Sequence, residues 1–232
     1  AKSWTIGAVL QPSFLSGLTV SVDYYDIKLS NVISSVAPQQ VLNNCYDAAN
    51  LNNAFCGLFQ RDPTTKFFVQ GSLQDTSLNF AKRRARGVDS DVNYRFNLPE
   101  DSGTVNLRGT LTYVVQRDNY PFIDEPNRPD QILYELGDPR WAFNISAQWR
   151  KDKLSIGYQG RYIGKMSVDV IENIKSVGGR PPQNADFATI AYYPDVMYHD
   201  LTAEYAISRN YTVYGGMENV FDRLPPYQLT GS

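Results

Sequence analysis

Two cysteines, Cys45 and Cys56, stand in one Asn-rich stretch, "NNCYDAANLNNAFCGLFQRD". Thiols that share a loop can close a short disulfide ring, and restricting the unfolded chain in this way contributes about 3 kcal/mol. Two unrelated thiols are the alternative. A disulfide implies an oxidising, non-cytosolic compartment. Other chemistry has little to start from. A Ser-His-Asp set could run only through the single histidine, His199, which falls on the apolar side of its segment. No Cys/His spacing suits a metal site, and neither enzymatic activity nor a cofactor is expected.

Charged residues recur at alternate positions, opposite an apolar partner row. They are Asp23, Asp89, Asp91, Arg95 and Arg108, then Arg150, Arg161, Asp200, Glu204 and Glu218. Buried charge without a partner is expensive, so this row wants water, mutual pairing or a polar plug. The net charge of −2 supplies no basic stripe for phosphate neutralisation, and no nucleic-acid partner is expected. The one basic run, "KRRAR" at 82–86, is followed at once by Asp89 and Asp91.

The elements that position these residues read as strands. Sixteen Tyr and 11 Phe favour strand over helix, and period-2 alternation recurs along the chain. The apolar parity runs Trp4, Ile6, Ala8, Leu10, then Leu18, Val20, Val22, Tyr24. It continues through Val88, Val92, Tyr94, Phe96 and through Val105, Leu107, Leu111, Tyr113, Val115. Its clearest stretch is Trp141, Phe143, Ile145, Ala147, Trp149, opposite Asn144, Ser146, Gln148 and Arg150. Leu154 to Tyr162, Met197 to Ile207 and Tyr211 to Met217 complete eight predicted strands.

Connections alternate between short and long. Tight turns are predicted at 11–17, 99–103, 151–153 and 208–210, and long polar loops at 34–76, 118–138 and 167–194. Long unstructured loops are uncommon in compact domains, whereas outer-membrane barrels combine short periplasmic turns with long extracellular loops. No stretch approaches the roughly 18–20 apolar residues of a membrane helix. The mean hydropathy of −0.38 is neutral on this point, because barrel strands average to a polar score.

Aromatic placement supports the membrane reading. Trp141 and Trp149 share a face at a spacing of roughly 26 Å along an extended strand. At the tilt usual for such barrels this projects to about 20 Å, near the height of an apolar band between two aromatic girdles. Tyr113 and Tyr162 would join one girdle, and Phe96, Tyr205 and Tyr211 the other; core aromatics of a soluble β-sandwich are the competing interpretation. A closed eight-stranded barrel is filled by side chains and would hardly need so long a loop at 34–76. A wider lumen is expected.

Three stretches resemble TonB-dependent outer-membrane receptors. "GLTVSVDYYDIKLSNVI" (17–33) resembles their strand ending in Asp-Tyr-Tyr-Asp-Ile. "ARGVDSDVNYRF" (85–96) resembles the strand that begins just below an outer loop. "YGGMENVFDRLPP" (214–226) is similar to their penultimate strand, and its Asn-Val-Phe-Asp-Arg element is the most specific piece. A loop Cys pair after the first stretch also recurs in part of that family. The resemblance implies an all-β, transmembrane antiparallel barrel of about 22 strands around a plug, of which residues 1–232 would be a C-terminal segment of about eight. Plug, N-terminal strands and final strand would lie outside it, and "LPPYQLTGS" would be the last outer loop.

The implied function is active import of a bulky, scarce nutrient across the bacterial outer membrane, energised by TonB through the plug. A passive porin or a surface adhesin would share the strands without the plug, and a soluble lectin-like β-domain or an outer-membrane hydrolase is the more distant alternative. Expected partners are TonB, the remainder of the barrel, outer-membrane lipid and lipopolysaccharide, and the nutrient. Candidate ligand contacts are the loop aromatics Tyr46, Phe55, Phe59, Phe67 and Phe68, with Tyr120, Phe122, Tyr134, Tyr192 and Tyr193. Their excess over loop cations favours a glycan or another neutral ligand, with an iron-siderophore as the alternative.

Overall fold

The computed structural model describes residues 1–36, 38–46, 50–73, 76–121, 125, 127–186 and 189–226. Among the described residues there are eleven strands, of which eight build one antiparallel sheet in chain order. The first four are β1 (Lys2–Leu10), β2 (Leu18–Val36), β3 (Thr76–Asn97) and β4 (Thr104–Tyr120), and β5 (Asp130–Gln131) is a two-residue appendage on β4. The sheet continues through β6 (Trp141–Lys151) and β7 (Leu154–Ile163). After the short pair β8 (Met166–Ser167) and β9 (Tyr192–Tyr193), it ends in β10 (Val196–Ala206) and β11 (Thr212–Met217). Helix α1 (Pro38–Tyr46), a 3-10 turn at Cys56–Leu58 and helix α2 (Ile171–Ile174) lie in the long connections. Among the described residues β1 and β11 are each paired on one side only, so the sheet is open.

Each predicted strand is present, and β2, β3 and β4 are longer than their alternation suggests. About 9–11 residues suffice for a tilted strand to cross a bilayer, whereas these three have 19, 22 and 17. The extensions pass through "DIKLSNVISSV" and "TSLNFAKRRARG", where apolar alternation fails. What sustains them is pairing, which continues from Lys28↔Arg84 to Val36↔Thr76 with irregularities around Val32. A second irregularity falls between Arg86 and Gly87. A Cβ on Gly87 would lie 2.4 Å from the Tyr25 hydroxyl and 2.7 Å from the Tyr113 carbonyl oxygen, so close approach of the strands needs glycine there.

Hairpin turns close the other end. Glu100 and Asp101 take φ of 55° and 50°, and Gly103 takes 106°, the left-handed region glycine adopts without cost. The Leu98 amide donates to the Gly103 carbonyl at 2.8 Å, closing the β3–β4 turn.

Most of the buried apolar core lies in the long connections and at the strand ends that meet them, with Ala81 and Val114 buried within β3 and β4. Val36, Val41, Cys45 and Phe55 form a buried cluster packed by Cys56, Leu58, Phe59 and Leu73, all in or beside the β2–β3 connection. Leu133, Val168, Ile171, Val177, Tyr193 and Val196 are buried at or above the loop end of β4–β10. The apolar row of the sheet itself is open: Ile145 is 39% exposed, Leu201 43% and Trp141 43%.

Candidate functional site

Register sorts the sheet into two faces, since successive side chains alternate sides. Asp23 stands opposite Asp89, and Asp89 opposite Thr112, whose hydroxyl donates to the Asp89 carboxylate at 2.8 Å. Arg108 pairs with Asp91 at 3.2 Å. Farther along the same face, Asn144 is opposite Arg161, Arg150 is opposite Thr104 and Ser155, and Glu204 is opposite Ser155 and Tyr214. Asp200, opposite Gln159, accepts the Asn219 amide at 2.7 Å. Arg95, opposite Asn106, lines a cleft with Arg150 and Gln148, and Glu218 lines one with Asp200 and Glu204. The ten charged residues picked out by alternation therefore share one face.

The opposite face is aromatic and aliphatic. Tyr113 packs on its cross-strand partner Trp141 with ring centroids 4.2 Å apart, and Phe143 stacks on Tyr162 at 4.6 Å. These lie toward the long loops. Toward the short turns, Tyr94 stacks on Phe96 at 4.7 Å, and the Trp149 indole donates to the Ser102 carbonyl at 2.9 Å. Tyr205 is exposed near the end of β10, as is Tyr211 in the turn that follows. His199 belongs to this face, opposite Gly160; its Nδ1 is 2.8 Å from the Tyr158 hydroxyl and its ring packs edge-on to Phe221. That is a packing position.

Two loop bodies cap the end of the sheet opposite the short turns. In the first, Cys45 and Cys56 are disulfide-bonded, as their shared loop suggested. Asn53, which residue type did not single out, organises the ring: its Oδ1 accepts the amides of Phe55 (3.0 Å) and Cys56 (3.2 Å), and its Nδ2 donates to the Cys45 carbonyl. The tip is a small hairpin, bridged at Arg61↔Phe68. Two amides from Thr64 and Thr65 donate to Asp62 and hold its carboxyl below the usual carboxylate range. The Arg61 guanidinium lies 3.8 Å from the Phe68 ring centroid, and its Nε donates to the Tyr46 hydroxyl at 2.9 Å. Tyr46, Phe59 and Phe68 thus gather in one patch, with Phe67 beside it and 75% exposed. Phe55 is 1% exposed and sits inside the loop core.

The second body joins the connections after β4 and β7. The Gln131 amide donates to Glu172 at 2.7 Å, the Ser167 amide to the Tyr134 carbonyl, and Tyr134 meets Tyr192 edge-on. Arg140 and Lys175 both approach the Tyr134 ring, at 4.9 and 5.1 Å. Tyr193 is buried here, and Tyr120 projects from the end of β4. Phe122 lies outside the described residues. A residue that sequence reasoning missed, Glu135, has a buried Oε1 without a hydrogen-bond partner. Burial pushes its carboxyl up to about 7 from an ordinary 4.5, against the opposing pull of the Ile171 amide; Asp130, Glu172 and Asp138 add to the rise. Burial likewise raises Asp130 and lowers Lys175. Among the described residues no cluster of three or more His, Cys, Asp or Glu side chains is set to hold a metal ion.

An open antiparallel sheet with one polar face, one exposed apolar face and its long loops at one end is a portion of a large β-barrel wall. The profile described as "TonB dependent receptor-like, beta-barrel" matches residues 1–220, and the chain belongs to that family, one of outer-membrane receptors and transporters. Its fold is similar to that of a ferric enterobactin receptor mutant from Pseudomonas aeruginosa (16% identity, TM-score 0.58, 95% of this chain and 25% of that one). It is also similar to the FrpB iron transporter of Neisseria meningitidis (12%, 0.56, 98% and 28%) and the ferric-catecholate import receptor Fiu of E. coli (17%, 0.51, 95% and 23%). The chain thus spans about a quarter of the length of these structures. No curated protein matches the sequence.

Proposed function

We propose that this chain is a C-terminal wall segment of an outer-membrane active transporter that imports a bulky, scarce nutrient with energy delivered by TonB. The observation that carries this reading is the division of the sheet into a charged face and an exposed apolar face under a two-part loop canopy. The apolar row meets lipid, and the charged row, including Arg95, Arg108, Arg150 and Arg161, lines a watery lumen of a barrel of about 22 strands and contacts its plug. TonB acts through that plug, and the rest of the wall is the natural partner of the open sheet edges. Unpaired strand edges cost several kcal/mol per group in hydrocarbon.

Nutrient contacts fall to the canopy. Tyr46, Phe59, Phe67 and Phe68 with Arg61 offer flat rings and a guanidinium on one loop; Tyr134 and Tyr192 with Arg140 and Lys175 do so on the other. Rings and cations together suit an anionic, aromatic iron chelate, while rings alone suit a glycan. The residue inventory leaned toward the glycan; the cation–ring contacts at Arg61, Arg140 and Lys175 favour the chelate. Titrating the intact receptor with a ferric catecholate, a ferric hydroxamate, cobalamin and an oligosaccharide ranks these classes. Binding weaker than millimolar to all four contradicts the transporter reading. So does nutrient uptake that survives loss of TonB, the result a passive porin would give.

A further inference from the structure

On β1 to β4 the exposed apolar face changes character abruptly toward the loops. Trp4 packs on Tyr24 at 5.3 Å. Two residues farther along the same rows stand Lys2 and Asp26, and Lys28 lies opposite Lys2. Register carries the row onward: Lys28 is opposite Arg84, Asp26 opposite Arg86, and Lys82 opposite Tyr120. Five cations therefore share the face that is apolar just below them. About 9–11 residues carry a strand through the apolar layer; counted from the short-turn ends of their strands, Lys2 and Lys28 fall within that limit and Arg86 just past it.

The patch encloses a cleft of about 400 Å³ between Lys2, Lys28, Lys82, Arg84 and Tyr120. Its acidic complement is small. Asp26 is occupied by Arg84 at 3.0 Å and Lys28 at 3.8 Å, and Asp118 is held by Gln116 and Tyr120. Among the described residues Arg84 Nε and Arg86 Nε are buried without a hydrogen-bond partner, as are Asp26 Oδ1 and Gln116 Oε1. Five cations thus meet two carboxylates, Asp26 and Asp118, at the level where an apolar surface gives way to water.

We propose that this cleft seats the phosphorylated headgroup of an outer-leaflet lipid, with the acyl chains lying along the apolar row beneath. Charge complementarity selects phosphate, since clustered Lys and Arg bind anionic headgroups at a membrane surface and arginine suits phosphate geometry. Continuity with the row of Ile6, Val22 and Tyr24 selects a lipid over free phosphate. The inference rests on the outer-membrane reading given above and locates one of its partners.

The test uses the intact receptor in detergent micelles, probed with bisphosphorylated lipid A, phosphatidylethanolamine and inorganic phosphate. Lipid A is expected to be retained through gel filtration and lost as salt rises. The Lys2→Gln/Lys28→Gln/Lys82→Gln variant is expected to bind it at least tenfold more weakly, with heat-modifiable migration on gels intact. A Lys151→Gln/Arg209→Gln variant, altered at the short-turn end, should bind as the parent does. Equal retention by the triple variant, equal binding of phosphatidylethanolamine, or displacement by inorganic phosphate at matched concentration overturns the proposal. Receptor that inserts into bilayers yet holds no lipid A refutes this inference alone; receptor that fails to insert refutes the outer-membrane reading.

Discussion

Val41 on α1 and Ile145 on β6 are both aliphatic, and the protein treats them oppositely. Val41 is fully buried in a loop held by a disulfide, whereas Ile145 is well exposed at the middle of the sheet. A water-soluble β-protein does the reverse, burying the sheet and leaving its loops thin. On the proposed reading this contrast reflects two solvents: the loops condense a small core as any aqueous domain does, and the strands leave their apolar row to hydrocarbon. Each region should therefore respond to a different insult.

The largest effect is expected in the canopy. Phe55→Ala empties a fully buried site and should cost about 3–5 kcal/mol of local stability. Hydrogen exchange should show lost protection at 41–59 while β6 and β7 keep theirs; a global loss would mean that the two regions fold as one. Ile145→Arg should do the opposite. A cation at mid-bilayer costs about 2–4 kcal/mol, read as a lower urea midpoint for insertion into vesicles with the canopy unaffected. The same substitution at Tyr205, near a strand end, should cost much less.

The junction of the second loop body should respond to pH. Glu135 holds its proton in the folded state up to about 7 but would release it near 4.5 when unfolded. The folded state therefore binds more protons across that window, and its stability falls as pH rises from about 4.5 to 7. Exchange at 131–140, corrected for intrinsic rates, should quicken over that range and level off above it. Glu135→Gln should flatten the dependence, and an unchanged profile in that variant would remove Glu135 from the account. The smallest effect belongs to the charged face. Asp91→Asn breaks a half-exposed pair with Arg108 and should change stability by about 0–1 kcal/mol, as measured in the same urea titration.

The two regions were also unequally legible in the sequence. Along the apolar row every strand is legible, because one face is apolar and the other polar and alternation follows, as in Trp141 to Trp149. In the extensions toward the loops both faces are polar and the signal vanishes. "KRRARG" reads as a basic run, yet it is paired strand held by hairpin register with β2 and β4. In the canopy residue type is the sole signal the sequence carries. Type points to Cys45 and Cys56, but it does not separate the buried Phe55 and Tyr193 from the exposed Tyr46 and Phe67, since the elements of these connections are too short or irregular to carry a period that encodes burial. Asn53 binds amides only two and three residues on, but it is one of several asparagines in its stretch and nothing in the sequence singles it out. Glu135 acts through a carboxyl whose partner Ile171 is distant in sequence, so no local pattern marks it.

The division of faces is tested most directly along β6 in the intact receptor, in lipid bilayers. Single cysteines at 143, 145 and 147, and at 144, 146 and 148, carry a spin label in turn, with Cys45 and Cys56 already occupied by each other. Odd positions should relax with dissolved oxygen and resist an aqueous nickel chelate, and even positions should show lower oxygen access. The reverse alternation, or none, would mean that the apolar row is not in contact with lipid.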